Sequence, residues 1–323
     1  MIYIVANANC VSGGPELLHQ FCYHLNKIGK DAKMAYYEKF SFPTMKTGAN
    51  LSKTYNRYNC QKVDKIIDSK ENTIVLSEGE LWFLPRFKNA KVVIWWLSVD
   101  NYYKSMETKY AKLYAPLGMK RKKYNPFDNK YIHCVQSEYA RLFLFNKGIK
   151  KDNIYSLSDY LSSEFISGTI NESSKPKKNI VLYNPKKGID FTKKIINNAK
   201  GIDFLPLENM THKEMMNVMT SSKVYIDFGN HPGKDRIPRE AAVCGCCVIT
   251  NKEGSAGNDK DVPIPNEFKY DMFGKNIPKI IDRITDCLNN YELNRTLFDE
   301  YRDSIRRQED IFVDEVRKIA SVL

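Results

Sequence analysis

The segment HPGKDRIPREAAVCGCCVIT, His231 to Thr250, decides how the rest of the chain is read. It opens as a charged loop, continues as a short helical stretch and ends in apolar β-sequence. Pro238 suits the first helical position, and Gly245 marks the helix C-terminus. The strand-like KVYIDFGN (Lys223–Asn230) precedes it, so the unit reads strand, loop, helix, strand. Repetition of that pattern implies parallel sheets with helices on both faces.

The pattern does repeat on both sides of this segment. In the first half, β-type runs lie at 2–6, 32–36, 73–76, 92–97 and 131–135, and helical stretches at 15–28, 55–67 and 137–145. Ser137 is placed to cap the last of these, with Glu138 in its first turn. The polar stretch SGTINESSKPKKN (Ser167–Asn179) has linker composition and divides the chain into domains 1–165 and 166–323. Beyond it, strands are expected at 180–183, 202–205, 224–228 and 246–250. Helices are expected at 191–199, 213–220, 238–244, 277–290 and 292–321, the last one free to pack back on the first domain. Two such α/β domains place ligands at the carboxyl ends of their strands, in a cleft between them.

A chain of 323 residues fits two domains of ordinary size. With 27% charged and 42% hydrophobic residues it is a globular protein, neither disordered nor fibrous. Its apolar runs are shorter than the roughly 20 residues a membrane span needs. The start, MIYIVANANC, reads as a first strand and not as a signal peptide, so a cytosolic protein is expected. The eight cysteines form no paired metal-ligand pattern; Cys244 and Cys247 lie at a helix C-terminus, the wrong end for a reactive thiolate. A net charge of +12 points to an anionic partner or a lysine-rich solvated surface. Basic clusters lie at 120–123, 147–151 and 175–178.

Four loops after strands carry the candidate chemistry. NANCVSGGPELLHQF places Gly13 and Gly14 where backbone N–H groups can approach an anion at a helix N-terminus; the alternative is a tight strand–helix turn. Its spacing is not G-x-G-x-x-G, which argues against a nicotinamide dinucleotide. YNPKKGIDF places Lys186 and Lys187 before Gly188, where a cation meets a diphosphate. The charged loop His231-Pro232-Gly233-Lys234-Asp235-Arg236 leads into Glu240, either a helix-capping acid or an acceptor for two ribose hydroxyls. WWLSVDNYY offers Ser98, Asp100, Asn101 and Tyr102, residue types that bind sugars. Glu78 and Glu80, at the end of the preceding strand, add general-base candidates. Asp259-Lys260-Asp261 spells a D-x-D, but it follows no strand directly and reads as a solvated loop.

Together these residues resemble the GT-B glycosyltransferases, particularly the large retaining family with a Glu-x7-Glu motif. EAAVCGCCVI is similar to that family's segment after the second Glu, which falls on Glu240. Lys187-Gly188 is similar to its Lys-Gly, and Gly13-Gly14 to its N-terminal loop. The resemblance implies two Rossmann-like domains with parallel sheets facing a central cleft. It implies that Gly13, Gly14, Lys187, His231, Gly233, Lys234, Arg236 and Glu240 bind a nucleotide-sugar donor. Ser98, Asn101 and Tyr102 then contact the acceptor, and Asp100, Glu78 and Asp235 are the catalytic candidates. No metal and no cofactor are implied, because fixed cations neutralise the diphosphate.

Two positions depart from the pattern. Eight residues before Glu240 stands Pro232, so the first Glu is absent and Asp235 or His231 is left to contact the sugar. The family's Arg before the Lys-Gly is also absent, with Asn184 and Lys186 nearby instead. The implied activity is sugar transfer to a glycan or lipid-linked acceptor in bacterial surface polysaccharide synthesis, at the inner face of an anionic membrane. A glycosyltransferase-like subunit that binds nucleotide without catalysis is the alternative. A nucleic-acid-binding protein fits the charge, but no helix-turn-helix, zinc-finger or RNA-binding signature accompanies it.

Overall fold

Among the described residues, six parallel strands form the first sheet and five the second. The computed structural model describes residues 1–8, 10, 12–37, 53–109, 124–172 and 176–323. The chain divides into two compact units, Met1–Asp159 with Asp310–Leu323, and Tyr160–Glu309.

The first unit runs β1 (Ile2–Asn7), α1 (Gly13–Lys27), β2 (Ala32–Tyr37), β3 (Thr73–Ser77), β4 (Lys91–Trp96), α2 (Val99–Lys109), β5 (Ile132–Val135), α3 (Glu138–Asn146) and β6 (Ile154–Ser156). The sheet order is β2-β1-β3-β4-β5-β6. Its middle strands are apolar at nearly every position because helices cover both faces. Trp95 and Trp96 point to opposite faces and both are fully buried. Each indole N–H is satisfied, by the Leu157 carbonyl at 2.9 Å and by His133 Nδ1 at 3.1 Å.

The second unit runs α4 (Ser163–Glu172), β7 (Lys178–Tyr183), α5 (Ile189–Asn198), β8 (Asp203–Pro206), α6 (His212–Thr220), β9 (Ser222–Asp227), α7 (Arg236–Val243), β10 (Cys247–Asn251), β11 (Lys269–Tyr270), α8 (Ile277–Asn289), α9 (Tyr291–Thr296) and α10 (Asp299–Arg306). The order is β8-β7-β9-β10-β11. The last helix, α11 (Gln308–Ala320), runs from this unit into the segment that belongs to the first. A half-buried cation ties several ends together: Lys177 Nζ donates to the carbonyls of Met219, Ser222 and Cys244 at 2.6–3.1 Å. It thereby satisfies carbonyl groups that the ends of α6 and α7 leave open.

Several elements differ from the sequence expectation. The helix expected at 55–67 is a 3-10 turn, Lys53–Tyr58, which stops where Asn59 turns left-handed at φ 46°. The following residues pair with Met34 instead, through Met34 N–H to Gln61 O and Val63 N–H to Met34 O. The expected linker at 167–179 begins as α4, whose Phe165 and Ile166 pack on the second core, and ends inside β7. The expected helix at 292–321 is three helices. Six cysteines are buried, and Cys10 and Cys60 are half-buried. A hydrogen bond with Cys60, together with burial, pushes the Cys22 thiol far up. The basic cluster at 120–123 lies outside the described residues. Among the described residues, no helix is long and apolar enough to cross a membrane.

Candidate functional site

The strand order of the second sheet reverses between β7 and β9, because β8 lies on one side of β7 and β9 on the other. Ligands in such sheets bind in the crevice at that reversal, beyond the carboxyl ends of the strands. The loops that border it are 184–188 after β7 and 228–235 after β9. They lead into α5 and α7, whose N-terminal amides favour an anion there.

These two loops interlock through glycine. Gly188 has φ 58°, and a Cβ on it would lie 2.0 Å from the Phe228 carbonyl oxygen. A Cβ on Gly229 would lie 2.3 Å from Lys187 Cβ. The close approach brings Lys187 across to the second loop, where its Nζ is 2.9 Å from Asp235 Oδ2. His231 Nδ1 reaches the same oxygen, also at 2.9 Å. Asp227 lies behind, with Oδ1 3.8 Å from His231 Nε2. It accepts from the Tyr225 hydroxyl at 2.7 Å and the Gly229 N–H at 3.0 Å.

Burial opposes a charge on His231. The hydrogen bond to Asp235 and the charges of Asp227 and Asp235 outweigh it, so the pKa rises above the ordinary imidazole value. For Asp235, burial likewise opposes the charge, yet the hydrogen bond to His231 and the charge of Lys187 bring its pKa below the ordinary carboxylate value. Asp235 occupies the N-cap of α7 but makes no side-chain capping bond. Its carboxylate is spent on Lys187 and His231.

The loop is held from below. Arg239, 1% exposed, donates to the Asp235 and Lys234 carbonyls at 3.1 Å and to Gln308 Oε1 at 2.8 Å. A solvating role beside Glu240 is thereby excluded for it. Ser255 donates its N–H to the His231 carbonyl at 2.9 Å and its hydroxyl to the Gly233 carbonyl at 2.5 Å. Gly254 permits this, since a Cβ there would lie 2.0 Å from the His231 carbonyl oxygen. Glu240 is buried in the body of α7, beyond its first turn, because the helix starts at Arg236 and not at Pro238. Simple capping therefore does not explain it. Lys234 and Arg236 are half-buried.

The candidates of the first unit gather at the ends of β3 and β4. Glu78 is buried, and its Oε2 accepts the Leu97 N–H at 2.9 Å. Burial drives its carboxyl up to about 8 against that bond, and the charge of Glu80 adds to the rise. Glu80 accepts from the Tyr37 hydroxyl at 2.9 Å and from Ser77 Oγ. The expected loop after β4 is α2. Ser98 starts it by accepting the Asn101 N–H at 3.3 Å, which places Asp100 in the first turn, 3.2 Å from the Tyr139 hydroxyl. Tyr102 then falls on the inner face, 5.3 Å from Trp96 and 7% exposed. Its ring is part of the core, and the exposed aromatic on that turn is Tyr103. Gly13 and Gly14 open α1, with Pro15 third in the helix. A Cβ on Gly14 would meet only Leu97 at 3.7 Å, so close backbone approach does not require glycine there.

No known family profile matches the sequence, and no curated protein does. Solved structures are similar over the whole chain. A glycosyltransferase from Rickettsia africae has a TM-score of 0.62 at 15% identity, covering 99% of this chain and 97% of its own. HepE of Anabaena, in complex with UDP-glucose, has 0.63 at 12%, covering 100% and 99%. Sucrose-phosphate synthase from Thermosynechococcus elongatus has 0.65 at 12%, covering 99% and 98%. The chain has the GT-B fold.

Within this GT-B fold, sequence reasoning found Lys187, His231 and Asp235, which the structure brings together. It missed Asp227, Gly229, Gly254 and Ser255. Asp227 ends a strand, as Glu78 nearly does, and the same signal was there to find it. Gly254 and Ser255 lie beyond the next strand, β10, and only the fold brings them under the loop. The D-x-D does not present two open carboxylates: Asp259 pairs with Lys269 Nζ at 2.7 Å, and Asp261 is buried.

Proposed function

We propose that this chain transfers a sugar from a nucleotide-diphosphate donor to a glycan or lipid-linked acceptor, in the building of a surface polysaccharide. The observation that carries the reading is Lys187, held between two helix N-termini at the strand reversal of the second sheet. Lys187, Lys234 and Arg236 would neutralise the diphosphate, an interaction that strengthens as the glycosidic bond breaks and the leaving group gains charge. Glu240 would accept the ribose hydroxyls, and His231, Gly233 and Asp235 would border the donor sugar. The α1 terminus at Gly13-Gly14 offers a further anion-favouring helix end. On the acceptor side, Asp100 is the more open carboxylate, with Asn101 exposed beside it. Glu78 holds a proton at neutral pH. Fixed cations in place of a divalent metal make the reaction metal-independent in this reading. The excess of basic residues suits an anionic membrane that presents the acceptor.

Thermal-shift screening against UDP, GDP, ADP, CMP and dTDP identifies the base. A ligand at about 100 times its Kd stabilises by about 2.7 kcal/mol. Turnover of the matching nucleotide sugar, undiminished by EDTA, is expected. Loss of turnover in EDTA with recovery in Mg²⁺ or Mn²⁺ would remove the metal-independent mechanism. Pro232 in place of the first motif Glu favours a second reading, a nucleotide-binding subunit without catalysis. Binding without turnover across the panel would select it.

A further inference from the structure

We infer that His231 is a positioning residue for Lys187: it holds Asp235 at the one carboxylate oxygen that Lys187 also uses, and so sets how readily the lysine is released to an anionic ligand. The inference rests on the donor-binding reading of the β7–β9 crevice.

Four groups stand in a row of alternating charge. Lys187 Nζ and His231 Nδ1 each lie 2.9 Å from Asp235 Oδ2. On its far side, His231 Nε2 has no hydrogen-bond partner among the described residues and faces Asp227 Oδ1 at 3.8 Å. Asp227 is fixed by the Tyr225 hydroxyl and the Gly229 N–H. The His231 main chain is fixed by Ser255. The imidazole, 2% exposed, thus has a carboxylate on each side and cannot turn to water. The other charged or titratable groups that line the small pocket beside it are Lys234, Arg239 and Asp261, with Tyr301 from α10. Arg239 is directed to the carbonyls of Lys234 and Asp235. Glu240 stands on α7 and acts on Tyr225 through its charge.

A diphosphate that draws Lys187 away deprives Asp235 of a cation. With a proton on His231, both carboxylates keep a positive partner. With neutral His231, release of Lys187 leaves two carboxylates facing an uncharged ring. Ligand binding and protonation of His231 therefore favour each other, and the coupling is reciprocal. The lysine cation itself lowers the His231 pKa, so its departure raises that pKa further. Affinity for the anion is fullest below the folded-state pKa of His231 and falls as pH rises through the titration of the complex.

The test has two arms. Proton NMR titration of the free protein follows the imidazole signal absent from His231→Asn. Its midpoint is expected above the ordinary histidine value of about 6.5, to rise in Lys187→Met and to fall in Asp235→Asn. The second arm measures Kd for UDP-glucose, whose esterified phosphates keep their charge, between about pH 5.5 and about pH 8.5. The wild-type Kd is expected to weaken with pH by up to about tenfold per unit. His231→Asn keeps a donor toward Asp235 without the charge, and a flat profile is expected. A midpoint unmoved by Lys187→Met, or equal pH slopes in wild type and His231→Asn, overturns the inference and leaves the proposed function standing. If UDP-glucose binds neither protein, the uridine-donor form of the proposed function fails, and the NMR arm decides the role of His231.

Discussion

A lysine that already touches a carboxylate gains less from a phosphate than an unpaired one would. Lys187 is 30% exposed and Asp235 20% exposed, so the pair is half-buried and the desolvation of its two charges offsets much of their attraction. In the proposed reading the pair keeps Lys187 in place, ready to exchange its partner for a phosphate. Glu78 shows the opposite use of burial. Its carboxyl titrates at about 8 in the folded chain against an ordinary 4.5. Below about pH 4.5 both folded and unfolded chains hold the proton and the residue contributes nothing. Above it the unfolded chain ionises first, so stability falls with rising pH until the folded carboxyl ionises near 8. Glu78→Gln keeps an acceptor for the Leu97 N–H and cannot ionise. Its stability relative to wild type should rise between those pH values by on the order of several kcal/mol. Urea unfolding of both proteins at about pH 5 and about pH 8 reads the difference. A gap that does not change with pH would remove Glu78 as a buried acid.

At the level of elements, the candidate site depends on two loops that fit only because a glycine stands on one side of each close contact. Gly188→Ala would drive a methyl into the Phe228 carbonyl, a backbone atom that cannot rotate aside, and would also strain a left-handed φ. The expected loss is about 2–4 kcal/mol. Gly201 is a control: its φ is 76°, but nothing lies within 4 Å of its Cβ position. Gly201→Ala should cost only about 1–2 kcal/mol. Equal losses in thermal unfolding would deny the interlock. Sequence alone could not display this fit, though it displayed most strands. Runs such as NIVLY and KVVIWW are apolar throughout, because a parallel sheet is covered on both faces. Where pairing is nonlocal, the reading failed. Residues 61–63 look helical by periodicity but are captured by Met34. The segment after Trp96 looks like a sugar-binding loop, yet Ser98 caps a helix that turns Tyr102 into the core.

At the scale of the whole molecule, chain order and unit membership part company at the C-terminus. The first unit is completed by Asp310–Leu323, a segment reached only after the second unit has been built. Its attachment is specific. Phe312 is fully buried, with its ring 5.6 Å from that of His24 on α1. Glu315 accepts both the N–H and the hydroxyl of Ser158 at 2.7 Å, and Lys91 Nζ donates to the Val322 carbonyl at 2.6 Å. Upstream in the same helix, Gln308 belongs to the second unit and receives the Arg239 bond. In the sequence this region shows only amphipathic periodicity, which does not say which core its apolar stripe covers. Phe312→Ala separates the possibilities. Emptying a buried phenylalanine site costs about 3–5 kcal/mol, and the loss should appear where the ring packs. Hydrogen exchange should accelerate in α1, nearly three hundred residues back in sequence at its start, while β9 and α7 keep their protection. Faster exchange in β9 and α7 with α1 unchanged would assign the segment to the second unit instead.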